Sequence, residues 1–137
     1  MGVVLNPYLN FRGNAREAME FYQSVLGGEL NVSTFAEYQL AEDPSEADNV
    51  MHSQLETDAG ITLMGADVPA KQEASPNGSI SLSGDDEGTL RSYWDKLSDG
   101  ATIVEPLTVA PWGDAFGMLT DRYGVFWLVN ISGQPQG

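Results

Sequence analysis

One pattern constrains this chain above all others: a strand, a helix and three further strands are written twice within 137 residues. Leu9 to Leu26 overlays Ile80 to Leu97 at an offset of 71, pairing Phe11 with Leu82, Gly13 with Gly84, Met19 with Leu90 and Tyr22 with Tyr93. Leu55 to Met64 overlays Leu119 to Leu128 at an offset of 64, each segment reading as a hairpin that turns at a glycine, Gly60 or Gly124. Two overlays in the same chain order, one carried by a strand and helix and the other by a hairpin, point to an internal duplication. The predicted organisation is a first β-α-β-β-β module over residues 1–68, a linker over 69–78 and a second module over 79–133, forming one structural domain overall. The linker is assigned because Val68 to Gly78 is polar and broken by Pro69, Pro76 and Gly78.

Local signals support each module. Asn14 followed by Glu17 has the form of a helix N-cap with a returning side chain. Ala15, Ala18, Met19, Tyr22, Val25 and Leu26 then recur at helical spacing, and Gly27-Gly28 supplies a left-handed stop, predicting a helix over 15–26. The preceding Leu5 to Phe11 alternates as a strand, with Pro7 suited to an edge or first strand. The second helix is capped by Asp85 or Asp86, carries Leu90, Tyr93, Trp94 and Leu97 on one face and closes at Gly100. Ser79, Ser81 and Ser83 alternate with Ile80 and Leu82 on the strand before it. Residues 36–49, with Glu37, Glu42, Asp43, Pro44, Glu46 and Asp48, read as a long acidic loop, either solvated or serving as a lid.

Composition narrows the chemistry. The chain has no cysteine and one histidine, His52, so thiolate nucleophiles, redox pairs and multi-histidine metal sites within one chain are excluded. Twenty acidic against six basic residues give a formal net charge of −14, which repels phosphate backbones and anionic lipid. We expect no nucleic-acid or membrane partner. No apolar run approaches a membrane span, and the N-terminal residues lack the basic and apolar regions of a signal peptide, so a cytoplasmic protein is expected.

The duplicated modules resemble the vicinal oxygen chelate superfamily: glyoxalase I, extradiol dioxygenases and the fosfomycin and bleomycin resistance proteins. Within it the chain resembles the PhnB-like branch, often labelled as a demethylubiquinone methyltransferase domain. The residues that carry the likeness are Asn6 to Phe11, Glu20-Phe21-Tyr22 through Leu26-Gly27-Gly28, Met51 to Leu55, and Pro111-Trp112-Gly113-Asp114 running to Asp121 through Trp127. The resemblance implies an α+β fold of two tandem β-α-β-β-β modules forming curled, cup-like mixed sheets with helices packed outside.

It also implies a divalent metal held by two first-strand and two last-strand residues. Those positions fall at Tyr8 (or Asn6, on the same face), Ser79, Met64 and Leu128. None is an ordinary ligand for a hard or borderline divalent ion, so we expect no metal there and no cofactor. The methyltransferase label meets a similar objection, since no glycine loop of the Rossmann type is present to hold S-adenosylmethionine.

The candidate residues divide into a pocket and an acid-base group. Phe126 shares strand parity with Leu128, which sets both on the expected cup face with Met64, while Trp127 faces the helix. Tyr8, Met64, Trp112, Phe126 and Leu128, with hydroxyls from Ser79 and Ser81, are the predicted pocket, the alternative being an ordinary filled core. His52 is the candidate catalytic residue, with a structural role as the alternative. It shares a strand face with Gln54 and Glu56, which raises a displaced metal site as a third option, with Asp67 and Asp114 as further oxygen donors. From Glu17 to Ala70 there are 11 acidic residues and no base, so acid surrounds this imidazole.

The expected function is binding of a small molecule of unknown identity by a homodimer whose protomers complete each other's sheets. The alternative is an enzyme: a metal-dependent lyase, isomerase or dioxygenase with atypical ligands, or a catalyst using His52 as acid and base.

Overall fold

The computed structural model describes residues 5–39, 44–69, 71–73 and 77–133. Parts of two predicted segments lie outside the described residues: Glu42 and Asp43 of the acidic loop, and Ala70, Ala74, Ser75 and Pro76 of the linker. The chain divides into two compact units, Met1–Asn77 and Gly78–Gly137.

The first unit runs β1 (Tyr8–Phe11), α1 (Ala15–Leu26), β2 (Glu29–Thr34), β3 (Val50–Glu56) and β4 (Thr62–Asp67). Its sheet has the order β1-β4-β3-β2, with β1 parallel to β4 and the other pairs antiparallel. The second unit repeats this with β5 (Ile80–Gly84), α2 (Glu87–Leu97), β6 (Thr102–Val109), β7 (Ala115–Thr120) and β8 (Phe126–Ile131), in the order β5-β8-β7-β6. The mixed α+β architecture of two β-α-β-β-β modules is therefore as the sequence predicts. Each sheet turns one face to its helix and leaves the other open. Leu9, Phe11, Leu55 and Leu63 are buried on the α1 side, against Ala18, Met19, Tyr22 and Val25. Leu82, Trp127 and Val129 are buried on the α2 side, with Leu90, Trp94 and Leu97.

The duplication is real, but its register differs from the overlay. Tyr8 pairs with Met64, and Ser81 pairs with Leu128. Met64 and Leu128 are 64 apart as predicted, yet their first-strand partners are 73 apart (81 − 8), not 71. Ser81, rather than Ser79, therefore holds the place opposite Leu128 that Tyr8 holds opposite Met64. A slip of two residues keeps every side chain on its own face, so apolar alternation cannot detect it. The helix entries take up one of the two residues: Arg12-Gly13-Asn14 joins β1 to α1, whereas only Asp85-Asp86 joins β5 to α2.

The helix starts divide the same way. Asp86 caps α2 as predicted, its carboxylate accepting from Thr89 N and from the Thr89 hydroxyl. The Thr89 backbone bond, followed by the hydroxyl bond, lowers the Asp86 carboxyl below its ordinary 3.8. At α1 the expected Asn14 cap is not made: the Asn14 side chain accepts no capping bond. Asp67 does the work from the end of β4, with Oδ1 accepting from Gly13 N at 2.7 Å and Ala15 N at 2.9 Å. Its other oxygen accepts from Val50 N at 2.9 Å, at the start of β3. One helix N–H, that of Ala15, and the Gly13 N–H of the connection before it are thus satisfied by a carboxylate from β4, which also favours the positive end of the helix.

The segment after β4 folds back onto the first unit. Arg12 donates to the carbonyls of Pro69 and Gln72, and the Asn77 amide both accepts from Asn10 N and donates to Asn10 O. Within residues 36–49, single 3₁₀ turns form at Ala36–Tyr38 and Pro44–Glu46.

Candidate functional site

On the open face of the first sheet, one row crosses all four strands: Tyr8 of β1, Met64 of β4, Gln54 of β3 and Asn31 of β2. His52 lies on the same face, paired across β2 with Ser33. The Tyr8 hydroxyl is 3.4 Å from His52 Nδ1, and the two ring centroids are 5.9 Å apart. Burial raises the Tyr8 phenol above its ordinary 10.0, so it keeps its proton at neutral pH. When the imidazole proton is on Nε2, that hydroxyl donates to Nδ1. Gln54 and Glu56 are engaged with each other, Gln54 Nε2 donating to Glu56 Oε1 at 2.7 Å.

The proposed oxygen donors Asp67 and Asp114 have structural work instead. Asp67 is only 3% exposed and holds three backbone N–H groups. Asp114 accepts from Gly133 N and from the Asn130 amide. Among the described residues no three His, Asp or Glu side chains gather closely enough to hold a metal ion.

The second sheet presents the corresponding row: Ser81 of β5, Leu128 of β8, Met118 of β7 and Glu105 of β6. Beside its last two strands is a cavity of about 410 Å³, lined by Glu105, Thr108, Val109, Trp112, Phe116 and Met118 among others. Trp112 sits in the turn between β6 and β7, and Phe116 and Met118 rise from β7 with the parity that faces away from α2. On the buried side Gly117 lets the sheet and helix approach. A Cβ there would come within 2.8 Å of the Trp94 ring and 2.9 Å of the Leu107 backbone.

Glu105 reaches this face through an irregularity. Ile103 pairs with Leu119 and Glu105 with Met118, so Val104 is an extra residue on β6 and the carboxylate takes the place a regular strand would give to valine. The sequence marks Trp112 but not Phe116, Met118 or Glu105. Alternation from Ala115 would have found the first two, whereas nothing in the residues announces the bulge. Ser79 lies exposed just before β5, and Phe126 opens β8 opposite Thr120.

The positions that the resemblance assigns to metal ligands are adjacent pairs in this geometry. Tyr8 stands beside Met64 and Ser81 beside Leu128, with Ser79 two residues earlier. A phenol, a thioether, a hydroxyl and a hydrocarbon do not fit a hard divalent ion.

A family described as 3-demethylubiquinone-9 3-methyltransferase matches residues 4–130. The chain belongs to that family. Among the family's relatives, Protein YjdN of Escherichia coli strain K12 is 30% identical, with 93% of this chain and 94% of that one covered. Protein PA1353 of Pseudomonas aeruginosa is similar at 32% identity with a TM-score of 0.79, covering 97% of this chain and 100% of that one. The PhnB protein of Bacillus cereus, named with the same methyltransferase description, is similar at 27% identity with a TM-score of 0.72, covering 95% and 100%. Two proteins named for the glyoxalase/bleomycin resistance protein/dioxygenase group, from Burkholderia phytofirmans and Sphaerobacter thermophilus, share the fold at TM-scores of 0.61 and 0.58. The PhnB-like, vicinal oxygen chelate assignment follows. The family's description names a methyltransferase, yet the strand-to-helix turns here, Arg12-Gly13-Asn14 and Asp85-Asp86, are not glycine-rich nucleotide loops.

Proposed function

We propose that this chain binds a small molecule on the open face of its second sheet, without the divalent metal of its superfamily. The observation that carries the reading is the cavity of about 410 Å³ beside β6 and β7. Its size falls within the roughly 300–1,000 Å³ of small-molecule pockets, and its walls combine aromatic and apolar side chains with a few polar groups, as such pockets do. Trp112 is 72% exposed at its mouth, a large apolar side chain with no packing reason to be there.

A second reading rests on the Tyr8 and His52 pair, which would serve as an acid-base couple on the first sheet. One titration separates the two. Calorimetry with benzyltrimethylammonium, benzyl alcohol and benzoate is expected to give saturable binding for at least one compound. Trp112→Ala should weaken it about tenfold or more, and His52→Ala should leave it unchanged. Failure of all three compounds to saturate would remove the pocket reading, and loss of binding in His52→Ala alone would favour the second.

A homodimer belongs to the same proposal. β6 is the last strand of its sheet and exposes Ile103, Val104 and Val109, apolar surface that a second copy would cover. Light scattering is expected to give twice the 14.8 kDa of one chain, and a single-chain mass at about 50 μM would count against it. For a membrane, none of the described helices is long and apolar enough to cross one.

A further inference from the structure

We propose that the ligand of the β6–β7 pocket is an organic cation with a flat apolar body, an ammonium or guanidinium compound held between the Trp112 ring and the Glu105 carboxylate. The proposal rests on the binding reading above and names the ligand's chemical class.

Charge is the first ground. Among the described residues Glu105 is the single ionisable one lining the cavity, and its carboxylate makes no hydrogen bond or ion pair with them. The bases of the second unit are engaged or situated elsewhere. Arg91 Nε pairs with Glu87 at 2.8 Å, Arg122 Nη2 pairs with Asp99 at 3.0 Å, and Lys96 lies in the last turn of α2, which packs on β5 and β8. An anion entering the pocket would meet Glu105 with nothing to offset the repulsion. A neutral ligand would strip water from the carboxylate and leave it unpaired. A cation removes both costs.

The walls are the second ground. Trp112 and Phe116 offer π faces, Trp being the strongest aromatic partner for a cation, and the Met118 thioether is soft and adaptable. Thr108 adds a hydroxyl able to accept from an N–H donor. The net charge of −14 adds a long-range pull on cations and repels anions before contact.

The bulge is the third. A regular β6 would set Val104 beside Met118 and make the pocket wholly apolar at that point, whereas the extra residue puts a charge there. Bulges next to binding sites characteristically re-aim a side chain.

The test uses the full chain and three probes that share one phenyl ring and differ in charge: benzyltrimethylammonium, benzyl alcohol and benzoate. At low salt the cation is expected to bind about tenfold or more tightly than benzyl alcohol, with benzoate weakest. Glu105→Gln alters an exposed side chain. It should weaken the cation about tenfold while benzyl alcohol binds as well or more tightly, the carboxylate's desolvation cost being gone, and added salt should reproduce the loss only for the cation. Two results would overturn the charge assignment while leaving the pocket intact: benzyl alcohol binding as tightly as the cation, or an unaltered cation affinity in Glu105→Gln. If none of the three saturates, the binding reading falls and this proposal with it.

Discussion

Asp67→Ala is expected to destabilise the protein by about 3–5 kcal/mol, measured as a shift of the urea unfolding midpoint at unchanged slope. The side chain joins three places that the sequence keeps apart: the end of β4, the first turn of α1 and the first residue of β3. Removing it leaves the N–H groups of Ala15 and Val50, both on buried residues, without their acceptor, and each orphan costs roughly 1–3 kcal/mol. Asp67→Asn keeps one acceptor oxygen and turns a second donor toward an N–H, so it should fall between alanine and the native residue. A loss below about 1 kcal/mol for Asp67→Ala would mean that water or the Asn14 side chain takes over the cap. Asp121 gives an internal comparison in the second unit. It accepts from Tyr123 N, Val125 N and Trp127 Nε1, so its loss should act on the β7–β8 turn.

Gly28→Ala should cost about 3–5 kcal/mol, and Gly27→Ala, one residue earlier, about 1–3 kcal/mol. Both glycines have positive φ, +78° at Gly27 and +92° at Gly28, so both substitutions carry backbone strain. They differ in what surrounds them. A Cβ on Gly27 meets nothing within 4 Å, whereas one on Gly28 would overlap the Glu56 carbonyl and lie 2.7 Å from Thr57 Cα. The difference between the two variants in thermal or urea unfolding isolates the clash from the strain. Equal losses would show that the β3 end moves aside.

These two residues also show what the sequence can and cannot announce. The stop at Gly27-Gly28 was legible because a positive-φ glycine after an apolar helix is a local signal, and α1 ends at Leu26 as predicted, although Gly27 itself, at φ +78° and ψ −167°, is extended rather than left-handed helical. The second role of Gly28, letting the end of β3 approach, depends on a residue 28 positions away and leaves no local trace. Asn14 and Glu17 formed a convincing cap signature, yet the cap comes from Asp67, because hydrogen bonding follows distance in space. The two-fold β-α-β-β-β order was legible throughout, since helical and strand periods differ strongly. The two-residue slip between first strands was not, since it preserves the period. At the site, Trp112 was legible as an aromatic wall within the Pro111-Trp112-Gly113-Asp114 segment that carries the resemblance. Tyr8 and His52 meet only because β1 lies across β4 from β3, an order that no pairwise reading of adjacent segments contains.

The bulge at Val104 bears on how such chains diverge. With one extra residue before Glu105 and a second before Thr108 in an edge strand, the pocket's polarity is fixed by the count of residues as much as by their identity. A relative with the same Val-Glu pair and a regular strand would present valine to the pocket and glutamate to solvent. Column-by-column comparison would score the two as unchanged there, although an insertion or deletion nearby had exchanged a charged rim for a greasy one.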